Sequence, residues 1–169
     1  LGYYGLGQLH EFGQGVPQDN ARAAEFYQLG AEQNEKMSQT ALAYLYEQGL
    51  GVPQDYSRSF ALLSDAVLQG WGFAEAALSI HYLFGQGTEI DATRAYDLAW
   101  EAQRDGIVYA EGILGYMFME GLGTERSLPS ALFHFEAGSA KGDQYSTNQI
   151  PVVEAELACL DAAGSQYEL

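Results

Sequence analysis

The sequence predicts an all-α stack of helix pairs, and three observations carry that prediction. The string Gly-x-Gly recurs at Gly13/Gly15, Gly49/Gly51, Gly85/Gly87 and Gly121/Gly123, a step of 36 residues without drift. Other columns keep the same step: Leu6, Leu42, Leu78 and Leu114 fall in one, His10, Tyr46, Tyr82 and Phe118 in another. Each unit also closes on a residue that tolerates left-handed backbone, namely Asn34, Gly70, Gly106 or Gly142. A fixed period of roughly 20–50 residues marks one supersecondary unit stacked on copies of itself. The 169 residues divide into units 1–34, 35–70, 71–106 and 107–142, with 143–169 as a terminal cap, in a single repeat domain.

The elements follow in order. Leu6 and His10 lie at helical spacing in a first helix over about 3–12, which Gly13 stops. Asp19 is placed to cap a second helix over about 20–33. Unit two repeats the scheme most clearly. Ala41, Leu42, Leu45 and Tyr46 line a helix over 37–48, Gly49 ends it, and Pro53 resists further helix while Val52 offers an apolar plug. Asp55 caps a helix over 56–69 with Phe60, Leu63, Ala66 and Val67 on one face. The same reading gives helices over 73–84 with 92–105, and 109–120 with 128–141. Substitutions between units obey the same physics: Ser127 replaces Asp as cap, and Asn34 replaces Gly as the closing residue. The column Gly7, Ala43, Ser79, Gly115 stays small, which lets neighbouring helices approach closely.

The end departs from the pattern. The register places a fifth first helix near Tyr145, but Pro151 is costly inside a helix and acceptable only in its first turn. A shifted helix from Pro151 to Ala163 is therefore expected, with Glu154, Glu156 and Asp161 on a wet face, Cys159 in the core, and fraying over 166–169.

Composition excludes several function classes. With 23 acidic against 7 basic residues the net charge is −16, so nucleic acid is repelled rather than gathered. Anionic membrane surfaces are disfavoured for the same reason, and no apolar run approaches the ~20 residues that span a bilayer. The single cysteine, Cys159, rules out an internal disulfide framework and a cysteine zinc set. The chain opens at Leu1, part-way into a helix, without an initiator Met. A natural protein longer at its N-terminus is expected, so a removed export signal stays open.

Leu6-Gly7, His10, Gly13-Gln14-Gly15-Val16, Asp19 and Ala23 resemble the Sel-1-like repeat, as do Leu42, Tyr46 and the run Gly49-Leu50-Gly51-Val52-Pro53-Gln54-Asp55. Unit three is a weaker copy in Leu78, Tyr82, Gly85, Gly87, Asp91 and Ala95; unit four retains Leu114-Gly115, Gly121, Gly123 and Ala131. Thr88 and Thr124 replace Val in these two. Tetratricopeptide repeats share the Leu-Gly-x-x-Tyr helix but run at about 34 residues. The resemblance implies an α/α right-handed superhelix and an adaptor role between other proteins, in settings that include bacterial signalling, secretion and envelope assembly. Members also serve in the eukaryotic endoplasmic reticulum degradation machinery, and the resemblance does not choose among these settings; a soluble protein of the bacterial cytoplasm or periplasm is expected, with the compartment left open. One branch is cysteine-rich and linked to β-lactam binding; this chain lacks the paired cysteines, and that activity does not carry over.

Catalytic signals are weak. The Gly-x-Gly strings follow helices rather than strands and lack the Gly-Lys-Ser/Thr of a phosphate loop. His10 sits in the aromatic column, His81 and His134 have no second His at i+4, and no nucleophile elbow is present. No catalytic, cofactor or metal site is expected. A surface is the better candidate. Position 8 of a first helix lies about 200° around from position 6, and positions 11 and 12 flank it. These positions should face the concave side, which repeat proteins commonly use for binding. The columns read Gln8, Tyr44, Ile80, Tyr116; Glu11, Glu47, Leu83, Met119; and Phe12, Gln48, Phe84, Glu120. The expected partner site comprises Gln8, Glu11, Phe12, Tyr44, Glu47, Ile80, Leu83, Phe84, Tyr116 and Met119. An apolar patch of this kind marks an interface if exposed, or a packing surface if curvature buries it. The expected partner is a protein or peptide with basic flanks, in a regulatory, secretion-associated or immunity setting. A binder of small ligands such as cell-wall fragments, an enzyme, and a spacer from a longer array are the alternatives.

Overall fold

The computed structural model describes residues 2–164, with the side chains of 163 and 164 left aside. Among the described residues there are nine α-helices and no strand: α1 (Tyr3–Phe12), α2 (Asn20–Glu32), α3 (Lys36–Gln48), α4 (Tyr56–Val67), α5 (Gly72–Phe84), α6 (Ala92–Arg104), α7 (Val108–Glu120), α8 (Leu128–Ala140) and α9 (Gln144–Gly164). The all-α fold class and the alternation of first and second helices match the sequence expectation. The four long loops begin at the anticipated glycines. Contacts group the chain into two compact units, Leu1–Ile90 and Asp91–Leu169.

Local chemistry sets each boundary. Asp19, Asp55 and Asp91 accept a hydrogen bond from the amide three residues on, at 3.0 Å, and Ser127 accepts one from Ser130 N at 3.3 Å. Gly13, Gly49, Gly85 and Gly121 end the first helices in left-handed backbone, with φ of 65–70°. Asn34, at φ 58°, is the one non-glycine residue with positive φ among those described. The second glycine of the loop has a different task. A Cβ on Gly51 would lie 2.3 Å from Ala21 N, one on Gly87 2.2 Å from Tyr56 O, and one on Gly123 2.1 Å from Ala92 O. Each of these loops therefore rests on the opening turn of the preceding second helix. A side-chain clamp repeats as well: Gln18 Nε2 donates to Glu11 O at 2.9 Å, Gln54 Nε2 to Glu47 O at 2.6 Å, and Arg126 Nε to Met119 O at 2.8 Å.

In the first unit a core of Ala23, Ala24, Tyr27, Ala31, Leu42, Leu45 and Tyr46 forms between α1–α3, with Leu50 and the predicted plug Val52 against it. The small column does what its size suggested. Gly7 faces the Tyr27 ring so closely that a Cβ would sit 2.2 Å from it. In the second unit Gly115 faces Phe135 in the same way, at 2.6 Å. The core there comprises Leu128, Ala131, Phe135 and Val153.

The terminal helix corrects two expectations. It begins at Gln144, in register with the repeat, and carries Pro151 inside it rather than at its start. Asp143 caps it, accepting from Ser146 N at 3.0 Å and from the Ser146 hydroxyl. Ser146 is fully buried beside Gly112 and Gly138, where any Cβ would collide with this corner. That fixed start, together with burial of Val153, offsets a proline penalty of roughly 3 kcal/mol. Cys159 is exposed rather than core. The buried face of α9 runs through Ser146, Ile150, Val153 and Leu157, and a residue two beyond Leu157 is turned about 200° away. Glu154 and Asp161 are exposed as expected, and Glu156 pairs with Arg126 at 2.5 Å. The predicted fraying at 166–169 lies outside the described residues.

Candidate functional site

The first unit holds an open groove of about 440 Å³. Its floor and walls come from one face of α1 (Tyr4, Gln8, Glu11, Phe12), one face of α3 (Met37, Thr40, Ala41, Tyr44), the Tyr27 ring of α2, and Trp71 and Phe73 at the start of α5. Numbered by the 36-residue step from residue 1, these first-helix residues fall mainly at positions 1, 4, 8, 11 and 12. Helical geometry places positions 1, 4, 8 and 11 along one stripe. The walls are largely aromatic, and several are wet: Phe12 is 58% exposed, Tyr44 49% and Phe73 46%.

Of the sequence-predicted residues, the groove gathers Gln8, Glu11, Phe12 and Tyr44. Phe84 is exposed on the same unit but lies outside the lining, and Ile80 is half-buried. Position 11 turns inward further along the chain. Leu83 is buried at 7% exposure. Glu47 reaches into the stack, where Oε1 accepts from Ser59 Oγ at 2.8 Å and lies 2.8 Å from His81 Nε2. In the second unit Tyr116 and Met119 pack on the core that α9 completes, so the next first helix covers part of the face the sequence reading left open. Tyr4, Tyr27, Met37, Thr40, Ala41, Trp71 and Phe73 were missed. A signal for two of them was present. The position-1 column reads Leu1, Met37, Phe73, Tyr109, apolar throughout, and position 1 sits on the same stripe as position 8.

The groove contains one carboxylate, Glu11. Its Oε2 accepts the Tyr27 hydroxyl at 2.5 Å, and its Oε1 has no hydrogen-bond partner among the described residues. Burial, then this bond to Glu11, pushes the Tyr27 phenol well above its ordinary range, so it stays a donor. Glu11 also lies in the last turn of α1, at the negative end of the helix dipole. At the other end Lys36 Nζ sits 4.7 Å from the centre of the Trp71 ring. Trp71 Nε1 is buried and makes no hydrogen bond to a described residue.

Two polar clusters lie elsewhere. Ser59, His81 and Glu47 resemble a nucleophile set by type, but Ser59 is fully buried and donates its proton to Glu47, out of a substrate's reach. His81 Nδ1 lies 2.6 Å from Gln86 O, which ties the ring to the loop. In the second unit the buried Glu111 accepts from Lys141 Nζ at 2.7 Å and Gln103 Nε2 at 3.2 Å, and pairs with His134 Nδ1 at 2.9 Å. Burial raises the Glu111 pKa, but the bonds from Lys141, His134 and Gln103 outweigh it, and the net direction is down. No set of three or more His, Cys, Asp or Glu among the described residues is arranged to hold a metal ion. No described helix is long and apolar enough to cross a membrane.

Comparison with known proteins bears on this geometry. The Sel1 repeat family model matches residues 1–35, 36–71, 72–99 and 108–143. The chain is similar to the protective antigen c5321 of uropathogenic Escherichia coli, a protein with an SLR fold, at 29% identity and a TM-score of 0.78 over 88% of this chain and 32% of that one. It is similar in fold to a Sel1 repeat protein of Oxalobacter formigenes, with 22% identity, a TM-score of 0.81, and coverage of 88% of this chain and 59% of that one. Helicobacter pylori cysteine rich protein B shares the fold more loosely, at 21% identity and a TM-score of 0.56 over 75% of this chain and 91% of that one. The chain thus spans about a third of the E. coli protein and under two thirds of the Oxalobacter one. No curated protein matches it. With four family repeats spread over most of its length, the chain belongs to the Sel1 repeat family.

Proposed function

We propose that this chain is a protein-interaction module that docks a polypeptide partner in the groove of α1, α3 and α5. The observation that carries the reading is the row of half-exposed apolar side chains there, Phe12, Met37, Tyr44 and Phe73, around a cavity open along one side. Pockets for small molecules enclose their ligand and converge several polar groups on it. This groove is open and offers few polar groups. Aromatic residues and Met are enriched where proteins meet, and Sel1 repeat proteins often serve as interaction scaffolds. The occupant is a segment with apolar anchors and positive charge, because the chain carries −16 and residues 1–90 hold ten acidic against three basic side chains. Regulation, secretion or immunity by occlusion of a bound polypeptide are the settings this role fits.

The test is capture from the source cell at physiological salt, followed by measurement of the purified pair. Phe12→Ala with Tyr44→Ala should weaken binding at least about tenfold, as for truncation of interface anchors. Tm should stay within ~2 °C, since both side chains are half in water. A drop of several degrees with unchanged affinity would assign the row to packing. If no polypeptide binds, a thermal-shift screen against muropeptides, nucleotides and metals takes up the small-ligand alternative.

A further inference from the structure

We infer that the docked polypeptide presents an arginine side chain at the Glu11 end of the groove, with its guanidinium stacked on the aromatic wall and bonded to Glu11 Oε1. The inference rests on the proposed docking role and specifies its chemistry. Four observations lead to it. Glu11 is the one carboxylate among the described lining residues, and one of its oxygens is held by Tyr27 while the other has no partner among the described residues. The C-terminal turn of α1 adds partial negative charge at the same end. Phe12 and Tyr44 line the same groove and are half-exposed, so their ring faces are available to a flat cation. At the opposite end a face of the Trp71 ring is already taken by Lys36, beside the Glu35 carboxylate that accepts from Tyr4 N, so the aromatic faces left for a partner's cation are those near Glu11.

Arginine fits better than lysine. Its planar guanidinium stacks on aromatic faces, is more weakly hydrated than an ammonium, and spreads five donors over acceptors that a point charge cannot span. The chain itself uses this pairing: Arg58 lies over the Tyr46 ring at 5.4 Å and Arg22 over Phe26 at 5.5 Å. The remaining groove, lined by Met37, Thr40, Ala41 and Phe73, takes apolar residues that follow the arginine.

The experiment selects a random twelve-residue peptide library, displayed on phage, against the full chain, and repeats the selection on Glu11→Gln and on Tyr44→Ala. Gln can still accept the Tyr27 hydroxyl, so the fold is kept, and Tm checks it. The expected outcome is enrichment of peptides with one arginine beside apolar residues. Glu11→Gln should lose the arginine preference and keep the apolar one. Replacing that arginine by citrulline in a synthetic peptide should weaken binding about tenfold or more, as for loss of a charged hydrogen bond. Apolar peptides enriched without arginine, or lysine enriched equally, would overturn this inference and leave the docking role standing. No enrichment, or enrichment indifferent to Tyr44→Ala, would overturn both.

Discussion

Glu111 shows how one residue ties three helices. It stands in the column Tyr3, Gln39, Glu75, Glu111, near the start of a first helix, and its carboxylate is bonded by groups from α6, α8 and the residue that ends α8. Its folded-state pKa lies below the ordinary 4.5, so folding favours the ionised form. That contribution is complete above about pH 4.5 and is lost as pH falls through the lower folded value. A Tm-versus-pH series should therefore drop more steeply below about pH 4.5 for the parent than for Glu111→Gln. Parallel curves would dismiss the group as a source of acid sensitivity. Gly115→Ala should likewise destabilise the protein. The added methyl must displace the Phe135 ring, at a cost of about 1–3 kcal/mol, checked by urea denaturation. The small column was legible in the sequence because size alone defines it. The Glu111 cluster was not: its partners lie 8 to 30 residues away, and a carboxylate's letter does not tell which way it turns. Glu47 was misplaced for the same reason.

At the scale of the element, α9 sets local propensity against docking. Pro151 argued for a late helix start, yet the cap at Asp143 and the buried Ser146 fix an early one. Pro151 is exposed, so Pro151→Ala restores a backbone donor without opening a cavity. It should stabilise the protein by about 1–3 kcal/mol, somewhat less than the full interior-proline penalty because the proline also restricts the unfolded chain. An unchanged or lower Tm would show that the helix has already adapted around the ring. Helix pairs, caps and loop glycines were legible because each is a local signal repeated four times. The groove was legible in part. Counting around the helix found Gln8, Glu11, Phe12 and Tyr44, but assumed every unit exposes the same face. Tyr116 and Met119 pack instead on the core that α9 completes, and a sequence column does not show what the next helix covers.

At the scale of the whole molecule the acidic excess governs encounter. With −16 charges the on-rate for a basic partner should fall as salt rises from about 50 to 500 mM, with the off-rate changing much less. Stopped-flow association at several salt concentrations separates the two, and a salt-independent on-rate would leave an apolar contact without steering. Gly51, Gly87 and Gly123 each lie against the first turn of the helix that closes the unit before. Every whole unit thus carries one half of a joint at its middle loop and the other half at its second helix. Gain or loss of 36 residues leaves each remaining joint matched, whereas an indel inside a helix turns the glycine or its partner backbone out of place. Chains of this construction should change length in descent by whole units.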